Sequence, residues 1–177
     1  MTPMMMKKHI TLIAASLVAS VTVAMTGNVS TPNPNTFDTE DAAAIAAEQV
    51  IVNDHKNTTT EEAGGVYQTP LDGKFHYTNP VGNGAEGDFS VRIQFQGKLV
   101  AIYHDHPAYM SGFSEYCSRY LSVPDVQIAT QLHLDSYVGV LAEKQIVKWT
   151  PGKSRTEYGN ECAPHERIGV GSVVGKL

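Results

Sequence analysis

The sequence predicts one domain of the α/β or α+β class, in which helices pack on a β-sheet. Two predicted helices alternate with groups of predicted strands along the chain. The hydrophobic period changes from helical to strand-like near Gly64, and residues 99–103 form an unbroken apolar run that is typical of a strand covered on both faces. A chain of 177 residues is long enough for one domain with a substantial core and too short for two of ordinary size.

The N-terminus predicts a secretory signal peptide over residues 1–24. Lys7 and Lys8 precede an apolar run, residues 10–23, that ends in small residues, so we expect cleavage after Ala24. A permanent membrane helix is the alternative, but the run is short and contains several hydroxyl side chains. The prediction is therefore a secreted or periplasmic protein without a stable membrane anchor.

The mature chain should begin with a linker, residues 25–36, because this stretch is small, polar and contains proline. The folded domain is then expected over residues 37–177. Its first helix is predicted over residues 38–53, since Asp38 or Thr39 can cap the free N–H groups and the alanines that follow are strong helix formers.

Short strands follow this helix. Asp72 and Gly73 form a turn signal between two β-rich segments, which predicts a hairpin. The glycine-rich residues 79–88 are predicted to be a loop. The expected strands before the second helix cover residues 65–68, 75–78, 89–95 and 99–103.

The second half of the chain is predicted to contain a long loop, a helix and two further strands. The loop covers residues 107–121 and the helix residues 122–135. Strands are expected over residues 136–141 and 146–148, and the tail from Pro151 reads as loop-rich.

The two cysteines, Cys117 and Cys162, are expected to form a disulfide, because a lone pair in an oxidising compartment favours a bridge over two free thiols. A catalytic cysteine is the alternative, but neither residue is flanked by a helix start or a basic cluster.

The charge balance argues against nucleic-acid binding. The chain has 13 basic and 18 acidic residues, and the basic ones are scattered. A protein that neutralises phosphates normally carries a basic face, which is not found here.

His104 and His106 lie at the end of the apolar strand. Residues i and i+2 of a strand point to the same face, so both imidazoles can reach one point in space, as in a metal site. The alternative is two solvated histidines at a strand end that Pro107 closes.

Ser122 and Asp125 open the second predicted helix. This pair is a helix-start signature that needs no function, but it also holds a carboxylate where it can bind a cation. Two imidazoles and one carboxylate are a ligand set of hydrolytic zinc sites. Glu62, before the first strand, is the candidate general base; the alternative is that Glu61 and Glu62 are two solvated carboxylates in a polar turn.

This combination resembles the JAMM (JAB/MPN) metalloprotease superfamily, and more narrowly the JAB-like domain found in bacterial secreted proteins and at the ends of RHS-repeat toxins. A glutamate before a first strand, H-x-H-P at the end of a later strand and S-x-x-D at the next helix occur in that order. The matching segments are residues 36–45, 62–67, 72–77, 102–107, 122–125 and 136–139.

The resemblance implies a cytidine-deaminase-like α/β fold, a mixed sheet flanked by helices, and a Zn²⁺ ion on His104, His106 and Asp125. Glu62 would be the general base and Ser122 would stabilise the oxyanion. The reaction would be hydrolysis of a peptide or isopeptide bond in a peptide or protein substrate, by an antibacterial toxin or an envelope-processing enzyme. A toxin would also have an immunity protein as partner.

The sequence departs from the superfamily pattern at two places, and two further interpretations of its function remain. Asp105 stands between the histidines where Ser or Thr is usual, and residues 107–121 form a longer connection than many members have. A catalytically inactive JAB-like binding or scaffold module would keep the fold without the reaction. A cell-wall peptide amidase would keep the chemistry but act on a small substrate.

Overall fold

The computed structural model describes residues 11–16, 28–54, 60–82, 90–107, 115–159 and 163–177. Within these ranges the helices are α1, Glu40–Asp54, a short 3₁₀ helix, Glu115–Arg119, and α2, Val123–Leu132. The strands are, in chain order, β1 Thr11–Ser16, β2 Asn28–Ser30, β3 Glu62–Gln68, β4 Phe75–Tyr77, β5 Val81–Gly82, β6 Ser90–Phe95, β7 Lys98–His106, β8 Asp135–Val140, β9 Gln145–Trp149, β10 Arg155–Gly159, β11 Ala163–Val170 and β12 Ser172–Lys176.

Seven of these strands form a mixed sheet around β7. The strand order is β12-β9-β8-β7-β3-β4, and β5 also pairs with β3. β7 is antiparallel to β3 and parallel to β8. Parallel neighbours need a crossover connection, and α2 lies in the connection between β7 and β8. Three further strands form a parallel sheet in the order β1-β6-β2, and β10 pairs with β11.

Helices lie on both faces of the mixed sheet. One face packs against α1, and its core consists of Ala43, Ala44, Ala47, Ile51, Val66, Tyr77, Ala101, Tyr103, Tyr137 and Ile146. The other face packs against α2 and β6, and its core includes Val91, Ile93, Ile102, Leu121, Ala129, Val138 and Val140. The prediction of a single α/β domain, with a mixed sheet and helices on both of its faces, is confirmed.

A network of charged groups attaches the N-terminus of α1 to the sheet. The Lys148 Nζ lies 3.2 Å from Glu40 Oε1, 2.8 Å from Asp41 Oδ1 and 2.9 Å from Asp135 Oδ2. The Tyr137 hydroxyl donates to Glu40 at 2.8 Å. Burial acts to lower the pKa of Lys148, but the carboxylates around it raise the pKa above its usual value, so the lysine stays charged.

Several local predictions are confirmed. Thr39 caps α1, since the Ala42 N–H lies 3.2 Å from the Thr39 hydroxyl. The turn between β3 and β4 contains Gly73 with φ +70°, a backbone conformation that glycine adopts without a steric cost. α2 begins directly after Ser122, as the capping signature predicted.

The prediction of a loop-rich tail is wrong. Three strands, β10, β11 and β12, lie beyond Pro151, and β12 pairs with β9 at the edge of the mixed sheet. These strands are partly polar, so their apolar periodicity is weak, and they form because neighbouring strands supply hydrogen-bond partners.

Parts of two predicted loops are also paired. In the expected linker, residues 28–30 form β2, and the Ser30 hydroxyl lies 2.5 Å from the Thr78 hydroxyl. In the expected loop 79–88, residues 81 and 82 form β5, and residues 83–89 lie outside the described residues.

No helix in the described part of the chain is long and apolar enough to cross a membrane. Of the predicted signal peptide, residues 11–16 form β1 beside β6, and the expected cleavage site lies outside the described residues. Cleavage and export therefore stay predictions.

Glu48 lies in the buried face of α1 and is fully buried. Among the described residues, neither of its carboxyl oxygens has a hydrogen-bond partner of normal geometry. Burial raises the pKa of Glu48 well above its usual value and the charge of Asp105 raises it further, while the backbone of Gly139 acts in the opposite direction. The net effect favours the neutral acid.

Replacing Glu48 with glutamine should remove a pH-dependent loss of stability. A carboxyl group whose pKa is raised by folding stabilises the protein most below its unfolded pKa, and this contribution is lost as pH rises toward the folded pKa. We expect the stability of E48Q relative to wild type to increase from about pH 5 to about pH 8, by up to about 1.4 kcal/mol per pH unit. Urea unfolding across this range measures the difference, and a constant difference would contradict the prediction.

Candidate metal centre

His104 and His106 lie near the C-terminal end of β7 and project from the same face of the mixed sheet. Alternation along the strand directs both imidazoles toward α2, while Asp105 between them projects toward α1. The two histidines are 3% and 7% exposed. Their Nε2 atoms are 3.2 Å apart, so the alternative of two solvated histidines does not hold.

Asp125 approaches the same point from the first turn of α2. Its Oδ2 accepts hydrogen bonds from the Ser122 backbone N–H at 2.7 Å and from the Ser122 hydroxyl at 2.6 Å. This capping box fixes the direction of the carboxylate, and Asp125 is 3% exposed. The helix start therefore has both functions that its sequence allows: it caps α2 and presents a carboxylate to the histidines.

The three side chains have the spacing of a metal-ligand set. His104 Nε2 lies 3.4 Å from Asp125 Oδ1, and His106 Nε2 lies 3.7 Å from Asp125 Oδ2. One ligand atom from each residue can be chosen so that all lie within 4.8 Å of one another. The buried cluster could therefore bind a metal ion.

A backbone carbonyl sets the orientation of His106. Its Nδ1 lies 2.7 Å from the carbonyl oxygen of Ser118, in the 3₁₀ helix. Because a carbonyl oxygen only accepts, Nδ1 carries the proton, and in the neutral ring the Nε2 lone pair faces the cluster. Histidine ligands of metals commonly have such a partner on the other ring nitrogen.

The electrostatics keep Asp125 ionised. Burial alone would raise its pKa, but His104 and His106 hold the pKa of Asp125 well below its usual range. Burial acts to lower the pKa of His106, but its interactions with Asp125, together with the charge of Glu61, raise it. A cation at this point would meet an ionised carboxylate.

The two adjacent glutamates lie at the start of β3: Glu62 is its first residue, and Glu61 precedes it. Ala63 pairs with His104, so Glu61, two residues earlier, shares the face of the histidines. Glu61 is 5% exposed, so it is not a solvated carboxylate. Glu62 lies on the α1 face, and its backbone N–H donates to Asp105 Oδ1 at 2.6 Å.

Of the predicted site residues, His104, His106, Asp125 and Ser122 are brought together, whereas the side chain of Glu62 is on the other face. Glu61, the residue before it, lies on the face of the histidines. The pair Glu61-Glu62 signalled a carboxylate at this position, but only the pairing of β3 with β7 determines which of the two faces the histidines.

Two other histidines lie outside the cluster. His76 is in β4 and stacks on Tyr67, and His133 caps the C-terminus of α2. Trp149 is buried, and its indole N–H donates to the Arg155 carbonyl. Cys117 is buried beside the site, but Cys162 lies outside the described residues, so the disulfide stays a prediction.

Comparison of the chain with models of protein families, with curated proteins and with solved structures finds no match. The resemblance to the JAMM superfamily therefore stays a prediction from the motifs.

The role of Ser122 can be separated from simple helix capping with a matched pair of variants. S122A and T39A each remove the capping hydroxyl of one helix, so each should lower the unfolding free energy by about 1 kcal/mol. Only S122A also removes a hydrogen bond to Asp125, and we expect only this variant to weaken Zn²⁺ binding, by about tenfold or more. Denaturant unfolding and competition with a chromogenic chelator provide the two readouts. Equal zinc affinity in S122A and T39A would show that the serine is only a cap.

Proposed function

We propose that this chain is a secreted or periplasmic zinc-dependent hydrolase of peptide or isopeptide bonds, with His104, His106 and Asp125 as the metal ligands. The observation that carries the proposal is the buried cluster itself: two imidazoles and an ionised carboxylate whose ligand atoms lie within 4.8 Å of one another. A carboxylate in a protein interior is costly unless a cation or hydrogen bonds compensate it. Zinc suits this donor set.

A bound Zn²⁺ ion would supply Lewis acidity, polarising a carbonyl group and lowering the pKa of a coordinated water to about 7. Iron(II) sites of oxygenases use the same three ligand types. The metal content of the purified protein therefore has to distinguish a zinc site from an iron site.

Glu61 is the general base in this proposal, in place of the adjacent Glu62. It shares the face of the histidines and its charge acts on His106. A buried carboxylate at this position can take a proton from an attacking water and return it to the leaving amine. Ser122 orients Asp125, and its hydroxyl can donate to an oxyanion only by giving up that hydrogen bond.

The finer fold assignment belongs to the same proposal. A mixed sheet with helices on both faces, and with α2 between two parallel strands, is compatible with the cytidine-deaminase-like fold that the motifs imply. We propose a peptide or protein as substrate and, for a toxin, an immunity protein as partner. The inactive binding module remains the alternative, and it predicts no hydrolysis.

Elemental analysis is the first test. The purified protein should contain about one zinc per chain, and H104A and D125A should each lose it, because two remaining ligands hold the ion weakly. H76A is the matched control, since His76 lies outside the cluster, and it should retain the metal. A stoichiometric amount of iron would overturn the assignment to a zinc hydrolase, and no metal after zinc reconstitution would overturn the metal site.

The adjacent glutamates offer a second test. E61Q should reduce the turnover of internally quenched peptides by about 10²–10⁴-fold, the usual contribution of a general base. E62Q changes the neighbouring side chain in the same way on the opposite face, and we expect activity within about threefold of wild type. The reverse order would assign the base to Glu62. If both variants hydrolyse the peptides at the same rate, neither glutamate is the general base. If the zinc-loaded wild type hydrolyses no peptide, the binding module is favoured.

A further inference from the structure

The face of β7 opposite the metal ligands contains a second buried acidic group, which the proposed reaction does not use. Glu48 of α1 is fully buried, and neither carboxyl oxygen has a hydrogen-bond partner of normal geometry among the described residues. A neutral carboxyl group in this state still loses the hydrogen bonds that water gave it. An apolar residue would fill the same space at lower cost, so the carboxyl group needs an explanation.

The position of Gly139 shows where Glu48 points. A Cβ atom at residue 139 would lie 2.3 Å from Glu48 Oε2 and 3.6 Å from Asp105 Cβ. The Glu48 carboxyl group and the Cβ of Asp105 therefore both border the space above this glycine, and the charge of Asp105 acts on Glu48. Any larger residue at 139 would collide with Glu48, and the absence of a side chain there allows the carboxyl group to approach β7 and β8.

Asp105 connects this space to the metal centre. It lies between His104 and His106, and its Oδ1 accepts the backbone N–H of Glu62 at 2.6 Å. That hydrogen bond fixes the first residue of β3, and Glu61 is the residue immediately before it. The position of Glu61 relative to the histidines therefore depends on where the Asp105 carboxyl group is held.

We propose that Glu48 is a positioning residue: as a neutral carboxylic acid it donates a hydrogen bond to Asp105, and through Asp105 it holds the start of β3 beside the metal ligands. The raised pKa of Glu48 supplies the donor, since only the protonated acid can donate. A carboxyl oxygen of Asp105 can accept in either of its protonation states. The connection between Glu48 and zinc binding rests on the proposed function, but the connection between Glu48 and β3 does not.

The test compares E48L with E48Q. Leucine is similar in size and should allow the protein to fold, but it cannot donate, whereas the glutamine amide can. In E48L we expect the Glu62 amide to exchange with solvent at least about tenfold faster, and Zn²⁺ affinity to fall about tenfold. E48Q should stay within about threefold of wild type in both measurements. NMR hydrogen exchange and a chelator competition provide the readouts.

I51V controls for general loosening of α1. Ile51 is fully buried on the same helix, and its side chain has no polar group that could bind Asp105. In I51V, the hydrogen-exchange rate of the Glu62 amide relative to the other β3 amides should be the same as in wild type. If the Glu62 amide of folded E48L exchanges at the wild-type rate, the positioning role of Glu48 is overturned. If wild type binds no zinc, the proposed function fails, while the exchange data still decide the role of Glu48.

Discussion

The alternation of side chains along β7 is the constraint on which the rest of the structure depends. β7 is hydrogen-bonded to β3 and β8 and covered on both faces, so a shift of one residue would move every side chain to the opposite layer. On one face of β7, His104 and His106 face α2. On the other face, Tyr103 and Asp105 face α1. The candidate metal-binding cluster and the α1 core are therefore held by the same backbone.

The buried carboxyl groups on the two faces of the sheet have pKa values shifted in opposite directions. Asp125 has two imidazoles and two Ser122 donors around it, and its pKa is held well below the usual range. Glu48 lies on the other side of the sheet beside Asp105, and no cationic side chain of the described residues acts on it. Its pKa is raised well above the usual value. Burial acts in the same direction on both, so the partners determine the charge.

Residues whose geometry is local could be predicted from the sequence. His104 and His106 follow from the period of a strand, and the Ser122–Asp125 pair follows from helix capping. Which of Glu61 and Glu62 shares the face of the histidines could not be predicted, because it depends on the register between β3 and β7, which are distant in the sequence. Strands β10 to β12 could not be predicted for a similar reason, since they form through pairing with neighbouring strands. Glu48 was missed although a helical pattern, with Ala44 and Ile51 on its face, would have revealed it.

Gly139 also limits how this protein can diverge. The space above its Cα is filled from the other side by Glu48, so the two positions share one volume across the interface between α1 and the sheet. A side chain can appear at 139 only after the residue at 48 has become shorter, and the reverse order passes through an overpacked intermediate. Among homologues that keep this packing, the two positions should therefore co-vary, with glycine at 139 wherever a long side chain occupies 48.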